Sequence, residues 1–222
     1  MAERLIAIGD IHGCIHTLKG LLKTISYSST TDTLVFVGDY IDRGRFSYEV
    51  VEFVKKLQHE VGKEKCVCLR GNHEQMAIEA RNAGYDSIWI SNGGGATLQS
   101  YEENQVDPLN HISWFETLPV IYDTPEIIFC HAGLSKPNLE DNKLDDFLWG
   151  RDWIERDIEP REKQVVFGHT PRQDGHAYVT NTGDICIDTA CVFGGNLCAL
   201  VIEESGNSEC FYEKRHQEDA WE

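Results

Sequence analysis

The chain has 222 residues, of which 41% are hydrophobic, and this length fits one α/β domain with a sizeable core. Its formal net charge of −17 argues against nucleic acid as a partner, because binding a phosphate backbone requires clustered lysine and arginine. No apolar stretch approaches the roughly 20 residues that cross a bilayer, and the first strand follows residue 4 directly, so we expect a cytoplasmic protein without a membrane partner. We predict a single domain over residues 1–222, monomeric, with a frayed acidic end of about ten residues.

The first half of the chain alternates predicted strands with predicted helices. Short apolar runs predict parallel strands, and apolar residues at helical spacing predict the crossover helices between them. Ser47 is placed to cap the second helix. The strands are expected at 5–8, 33–37 and 66–69, and the helices at 15–25, 47–57, 74–81, 86–90 and 96–101. Three glycines at 93–95 lack the lysine of a phosphate loop, so we expect a structural role there, as a reversal or a close approach.

The second half of the chain contains short strand-like runs separated by turn residues. These runs are at 120–122, 127–129, 165–167, 177–179, 185–187 and 197–201. They predict a mostly antiparallel or mixed sheet. Together, the two halves predict an α/β fold with a central two-sheet β-sandwich flanked by α-helices. Residues 203–222 are expected to form a final strand and the frayed end, with partner binding left open as an alternative.

Each of the first three strands ends in a turn that contains glycine and potential ligands. The turns are GDIHG at residues 9–13, GDYIDRG at 38–44 and GNHE at 71–74. They are separated by about 30 residues, the length of one strand–helix–strand unit. Because ligands bind beyond the carboxyl ends of parallel strands, we expect Asp10, Asp39 and Asn72 to meet at one edge of the sheet.

Two strands of the second half end in the same manner. HAGL follows one strand at residues 131–134, and GHTP follows another at 168–171. A single histidine after a strand is more often structural than a ligand. Five strand ends that together deliver aspartate, asparagine and histidine instead favour a metal site.

Oxygen and imidazole ligands without thiolates suit borderline or hard divalent metals such as manganese, iron or zinc, with nickel as a further alternative. Two such ions about 3.5–4 Å apart need a shared carboxylate, and Asp39 on the middle strand is placed to bridge them. Asp10 and His12 are expected to bind one ion. The other is assigned to Asn72, His131 and His169. Cys66 and Cys68 are not expected to form a metal pair, because both would use the strand face that the core needs.

Two cations can hold a hydroxide in line with a bound phosphorus atom, and Arg43 is expected to neutralise the phosphoryl oxygens. The departing alkoxide needs a proton. His73 follows the ligand Asn72 directly, and Asp42 could orient its ring and raise its pKa. We therefore predict His73 and Asp42 as the general acid pair.

In order and spacing, these motifs resemble the signature of the phosphoprotein phosphatase family of metallophosphoesterases. The NGGG at residues 92–95 and the segment 187–197 are similar to the compact bacterial and phage members. The resemblance implies a calcineurin-like metallophosphoesterase fold, a two-metal centre that is usually manganese in bacterial members, and hydrolysis of phosphomonoesters without a phosphoenzyme. It also implies that Asn72 contacts substrate and that Arg151, in LWGR at 148–151, makes a second phosphate contact.

Three functions are compatible with this sequence. The first is a Ser/Thr phosphatase, with dual specificity as an alternative, acting on phosphorylated proteins or small phosphoesters. The second is a dinucleoside polyphosphate hydrolase on the same metals, although no aromatic-rich insertion indicates an adenine clamp. The third, a catalytically silent metal-dependent binding module, is disfavoured because it would not need His73, Asp42 and Arg43.

Overall fold

Two five-stranded mixed sheets form the centre of the molecule. The computed structural model describes residues 3–83, 87–152 and 162–221, without the side chains of residues 82, 83 and 109. The first sheet has the order β10-β9-β1-β2-β3, with β1, β2 and β3 parallel and β9 antiparallel to both of its neighbours. Its strands are β1 Arg4–Ile8, β2 Asp32–Phe36, β3 Cys66–Cys68, β9 Asn196–Glu203 and β10 Ser208–Lys214.

The second sheet has the order β4-β5-β6-β8-β7. Its three inner strands are parallel, and the two outer strands pair antiparallel to them. The strands are β4 Ile121–Asp123, β5 Ile127–Cys130, β6 Gln164–Phe167, β7 Tyr178–Val179 and β8 Ile185–Cys186. Both sheets therefore carry parallel strands whose carboxyl ends can bear a site.

The two sheets pack face to face. Alternate residues of the first sheet, such as Ala7, Val35 and Val67, share one apolar cluster with Phe129 and Val166 of the second. Because side chains alternate along a strand, the remaining residues of β1 and β2 pack beneath the helices on the outer face. The predicted sandwich between helices is confirmed.

The helices of the described chain connect and cover the sheets. They are α1 Ile15–Thr24, α2 Ser47–Val61, α3 Asn72–Ala83, α4 Ser87–Trp89, α5 Gly95–Glu103, α6 Ile112–Thr117 and α7 Leu144–Trp149. Short 3₁₀ turns lie at Pro108–His111, Leu139–Asp141, Cys191–Phe193 and Gln217–Asp219. None of the helices in the described ranges has both the length and the apolar character needed to cross a membrane.

The predicted role of Ser47 as a helix cap is wrong. Phe46 occupies the cap position without a side-chain bond, and Ser47 is the first residue of α2. The hydroxyl of Ser47 instead accepts a hydrogen bond from the N–H of Asp42 at 3.1 Å. The Ser47 hydroxyl therefore supports the turn after β2 and does not cap α2.

The glycine run permits a close approach, as expected. Gly93 has φ 107° and interrupts a π-helical turn at Ile90–Gly94. A Cβ atom there would lie 2.7 Å from Cγ of Arg43. The carbonyl of Gly93 also accepts a hydrogen bond from the N–H of Arg43 at 3.2 Å, so this segment supports the turn after β2.

Residues 203–221 contain the predicted final strand, β10, but the residues after it differ from the frayed end that the sequence predicts. After β10, the chain forms the 3₁₀ turn Gln217–Asp219, in which Asp219 is 1% exposed. Its carboxylate accepts hydrogen bonds from the first turn of α1. Hydrogen bonds between residues that are far apart in the sequence therefore hold this segment in place.

Candidate active site

The carboxyl ends of five strands converge on one buried cluster. The turns after β1, β2 and β3 contribute the residues predicted from the first half of the chain, and β5 and β6 contribute one histidine each. All of the predicted ligands are buried: Asp10, His12, Asp39, Asn72, His131 and His169. Residues from both sheets therefore meet at one edge of the sandwich.

Asp39 lies at the centre of this cluster. Its Oδ2 is 3.3 Å from Nε2 of His12 and 3.4 Å from Nε2 of His131. Two groups of possible ligand atoms, each within 4.8 Å, are formed by His12, Asp39 and His73 and by Asp10, Asp39 and His131. Asp39 belongs to both groups, as a bridging carboxylate requires. The presence of His73 in the first group was not anticipated.

Asn72 joins the two histidines of the second sheet. Its Oδ1 is 2.8 Å from Nε2 of His131 and 3.0 Å from Nδ1 of His169. The backbone N–H of His169 donates to Oδ2 of Asp10 at 2.9 Å. The expected second group of ligands is therefore in mutual contact.

The cluster fits divalent cations. Oδ1 of Asp10 is buried and has no hydrogen-bond partner among the described residues. Burial raises the pKa of Asp10 well above its ordinary value, and the nearby Asp188 raises it further. Burial also raises the pKa of Asp188. Buried carboxylates crowded together with imidazoles are stabilised by bound cations, and their oxygen and nitrogen donors suit borderline or hard metals.

The turns that present these groups have unusual backbone conformations. Among the described residues, five of the eight non-glycine residues with positive φ are His12, Asp39, Asp42, Arg43 and His169. Such conformations cost of order 1–3 kcal/mol each and persist only where the surroundings hold them. The positive φ angles could not be predicted from the sequence, because these positions are not glycine.

Glu74 provides part of that support, a role that was not predicted from the sequence. Its carboxylate accepts hydrogen bonds from the N–H groups of Asp39 at 2.9 Å, Tyr40 at 2.8 Å and Gly71 at 2.9 Å. It thus ties the turn after β2 to the turn after β3. The available signal was an acidic residue directly after Asn72 and His73 at the start of a helix.

His73 and Asp42 form the predicted pair. Nδ1 of His73 is 2.6 Å from Oδ2 of Asp42. Asp42 also accepts hydrogen bonds from Nε1 of Trp89 at 2.9 Å and from Oγ1 of Thr97 at 2.6 Å. These two donors, absent from the sequence argument, fix the carboxylate that orients the imidazole.

The electrostatics of the pair differ from the expectation. Burial lowers the pKa of His73 to about 4, although the Asp39 carboxylate opposes this effect. Burial raises the pKa of Asp42 to about 7. The expected increase in the pKa of His73 is therefore wrong for the protein groups alone, because desolvation outweighs the attraction of the carboxylate.

The two predicted arginines lie beside different histidines. Nη1 of Arg43 donates to Nε2 of His12 at 2.7 Å. Arg151 is exposed and lies near enough to His169 to contribute to lowering its pKa, an effect dominated by burial. The ring of Trp149 contacts His169 edge-on, with centroids 6.0 Å apart. Positive charge is thus available on two sides of the buried cluster.

Comparison with known proteins places this geometry in a family. The model of the calcineurin-like phosphoesterases matches residues 3–199. The chain is 32% identical over 212 residues to serine/threonine-protein phosphatase 1 of Salmonella typhimurium, covering 88% of this chain and 90% of that protein. It is 30% identical over 229 residues to the asymmetrical bis(5′-nucleosyl)-tetraphosphatase PrpE of Bacillus cereus, covering 87% and 88%.

A solved structure supports the same fold. A protein serine/threonine phosphatase from Saccharomyces cerevisiae, with similarity to human phosphatase PP5, superposes with a TM-score of 0.68 at 19% identity. The match covers 97% of this chain and 81% of that one. With the two-sheet sandwich and the cluster at its edge, these matches show that the chain belongs to the calcineurin-like phosphoesterases and is a metallophosphoesterase of the phosphoprotein phosphatase type.

Proposed function

We propose that this protein is a metal-dependent phosphomonoesterase that removes phosphate from serine or threonine in phosphoproteins. The observation that carries the proposal is the 2.6 Å contact between His73 and Asp42, next to the shared carboxylate Asp39. A binding protein would not need an oriented imidazole beside its metal ligands. The proposal includes one domain over residues 1–222, a monomeric state and a cytoplasmic location. The cytoplasmic location is supported by the cysteines, which are scattered along the sequence as is typical of proteins from reducing compartments.

The proposed centre holds two divalent ions, with manganese as the expected metal. Asp10 and His12 would hold one ion, and Asn72, His131 and His169 the other, with Asp39 shared between them. When bound, the ions supply Lewis-acid polarisation of the phosphoryl group and activate the attacking water.

His73 is assigned the proton that the leaving oxygen needs. Nδ1 of its ring meets Asp42, so Nε2 is the ring atom left to face the phosphoryl group, 3.9 Å from Oδ2 of Asp39. At a separation of 2.6 Å, His73 and Asp42 share one proton tightly. The proton on Nε2 passes to the leaving oxygen as negative charge develops there, while the proton shared with Asp42 moves onto Nδ1 and leaves a neutral imidazole beside the Asp42 carboxylate.

Arg43 and Arg151 are assigned to the phosphoryl oxygens, and Asn72 also contacts the substrate. A guanidinium presents two parallel N–H groups that match two oxygens of a phosphate. Because the chain has a net charge of −17, this local positive charge is needed to bind an anionic substrate. The 32% identity to a bacterial serine/threonine-protein phosphatase supports the choice of substrate.

A second candidate, a dinucleoside polyphosphate hydrolase, is favoured by the positions of aromatic side chains. Within the described residues, the exposed aromatic side chains are Trp149, Tyr178, Phe193 and Trp221. Trp149 contacts His169, while Phe193 packs against the guanidinium of Arg43 and Trp221 bonds to the Arg43 carbonyl. Tyr178 stacks on Arg172, three residues beyond His169. Trp149, Phe193 and Trp221 thus bring flat surfaces from three separate parts of the chain to residues of the site, and nucleobases could stack on them.

Turnover of two substrates tests the choice between these candidates. The Mn²⁺-loaded enzyme should hydrolyse a phosphoserine peptide with a higher kcat/KM than diadenosine tetraphosphate, and a chelator should abolish both activities. AMP and ribose 5-phosphate, which differ by the base, should then inhibit nitrophenyl phosphate hydrolysis equally.

The opposite outcome would select the second candidate. A preference for the dinucleotide, together with AMP binding about 5- to 150-fold more tightly than ribose 5-phosphate, corresponds to stacking worth about 1–3 kcal/mol. Phe193→Ala should then reduce the difference between the two inhibitors.

A further inference from the structure

The turn that carries Arg43 is held in a strained conformation. Asp42 has φ 74° and Arg43 has φ 67°, two consecutive residues in the left-handed region. Side chains other than glycine rarely adopt this region unless neighbouring groups hold them there. The point from which the Arg43 side chain extends therefore depends on the contacts made by its backbone.

Both backbone groups of Arg43 are hydrogen-bonded to distant segments. Its N–H donates to the carbonyl of Gly93 at 3.2 Å. Its carbonyl accepts a hydrogen bond from Nε1 of Trp221 at 2.8 Å. These two bonds hold the peptide units on either side of the Arg43 Cα, which sets the point from which the side chain reaches the site.

A second set of contacts holds the segment that carries Trp221. The carboxylate of Asp219 accepts hydrogen bonds from the N–H of His16 at 3.1 Å and from the N–H of Thr17 at 2.8 Å. It also accepts one from Oγ1 of Thr17 at 2.6 Å. His16 and Thr17 lie in the first turn of α1, where N–H groups lack partners within the helix, and Cys14 at the cap position provides no side-chain bond.

The segment 215–221, here called the tail segment, therefore connects two turns of the active site. Through Asp219 it is bound to the start of α1, which closely follows the ligand His12. Through Trp221 it is bound to the turn that carries Arg43. The acceptor Asp219 is buried, so this attachment is protected from water, which competes for exposed hydrogen bonds.

We propose that Trp221, anchored by Asp219, is a positioning residue that orients Arg43 toward the phosphoryl group of the substrate. This inference rests on the proposed role of Arg43 in phosphate binding. The indole N–H limits rotation of the strained peptide after Arg43, so that the guanidinium spends more of its time in the binding orientation. Neither the family match, which ends at residue 199, nor the motifs of the sequence include the tail segment.

Trp221→Phe tests the proposal because it retains an aromatic ring and removes the N–H donor. In the metal-loaded enzyme, KM for nitrophenyl phosphate and Ki for inorganic phosphate should each rise about 2- to 12-fold, the range expected for one hydrogen bond. Metal content and Tm should stay unchanged. Glu218→Gln is the matched control, since Glu218 is 71% exposed and its ion pair is with His16, away from Arg43; its Ki should equal that of the parent enzyme.

A double-mutant cycle with Arg43→Ala separates positioning from a general effect on the fold. In the Arg43→Ala background, Trp221→Phe should leave the affinity for inorganic phosphate, measured by calorimetry, unchanged. An equal loss of affinity in both backgrounds would overturn the proposal, as would an unchanged Ki in Trp221→Phe alone. If the parent enzyme hydrolyses no phosphoester, the proposed function fails, and the calorimetric cycle still decides whether Trp221 acts through Arg43.

Discussion

His73 lies between two carboxylates with different tasks. Asp42 meets Nδ1 at 2.6 Å, and Oδ2 of Asp39 is 3.9 Å from Nε2. The ring is 1% exposed, and burial lowers its pKa to about 4. A histidine of low pKa is a stronger acid once it is protonated, so the proton on Nε2 passes readily to a basic leaving oxygen while the proton shared with Asp42 stays on Nδ1.

His73→Asn should therefore reduce activity according to the leaving group. A serine alkoxide is a poor leaving group and needs the proton, whereas a nitrophenolate is far less basic. Loss of a general acid typically costs on the order of 10²–10⁴-fold where the proton is needed. We expect a loss of that size in phosphoserine hydrolysis and a much smaller loss with nitrophenyl phosphate, with metal content retained.

His111→Asn provides the matched control for this prediction. His111 is also buried, but its ring nitrogens contact Glu52 and Tyr101 outside the metal cluster. This substitution should affect both substrates equally. Equal losses on both substrates in His73→Asn, with metals retained, would contradict the role of His73 as an acid for the leaving group.

At the scale of the elements, the start of the central strand pair is held by an ion pair. Arg4 of β1 lies opposite Asp32 of β2, and its Nη2 is 2.6 Å from Oδ2 of the buried carboxylate. The N–H of Ser28 donates to the same oxygen at 2.8 Å. Burial acts to raise the pKa of Asp32, but these bonds outweigh it and the pKa is lowered.

Asp32→Asn should destabilise the fold without changing the active site, which lies at the opposite ends of these strands. We expect a loss of about 1.5–3 kcal/mol in the free energy of unfolding at pH 7, the range for hydrogen bonds to charged groups. Because folding lowers the pKa of Asp32, this contribution is fully present above the ordinary pKa of about 4 and is lost as the pH falls through the folded-state value.

Urea unfolding at pH 7 and near pH 3, with chelator present at both, measures this effect. The difference between Asp32→Asn and the parent protein should shrink at the lower pH. Asp123→Asn, which removes a more exposed ion pair with Lys163, should cost about 0–1 kcal/mol at pH 7. A difference for Asp32→Asn that grows on acidification would contradict the assignment.

At the scale of the whole molecule, the proposed metal ligands connect the two sheets. Asp10, Asp39 and Asn72 follow strands of the first sheet, whereas His131 and His169 follow strands of the second. Ions bound among them would join the two sheets at one edge. Because these ligands come together only in the folded state, the ions would bind the folded state and not the unfolded chain. Metal binding should therefore stabilise the sandwich as a unit.

Removal of the metal should lower Tm. A ligand present at 100 times its Kd stabilises the folded state by about 2.7 kcal/mol, which corresponds to about 5–11 °C for a domain of this size. We expect a decrease of this order when chelator is added to the Mn²⁺-loaded protein. Asp39→Asn should remove most of the difference, because it weakens both ion sites, whereas His12→Ala should mainly weaken one. A Tm that is independent of Mn²⁺ would exclude the site as a bridge between sheets.

The sequence by itself determined the sandwich and the residues that meet at its edge. Strand periodicity and glycine-bearing turns are local properties, and parallel strands bring their carboxyl ends together in any sheet, so Asp10, Asp39 and Asn72 could be located without coordinates. His131 and His169 followed from the same pattern.

The tertiary structure alone decided how these residues are supported. Trp89 and Thr97 bond to Asp42, and Ser47 supports the same turn instead of capping its helix. Asp219 and Trp221 reach the site from the other end of the chain. Such hydrogen bonds depend on which distant donors packing brings within about 3 Å, a distance that no residue pattern along the chain encodes. Packing likewise decided that burial outweighs the carboxylate in setting the pKa of His73.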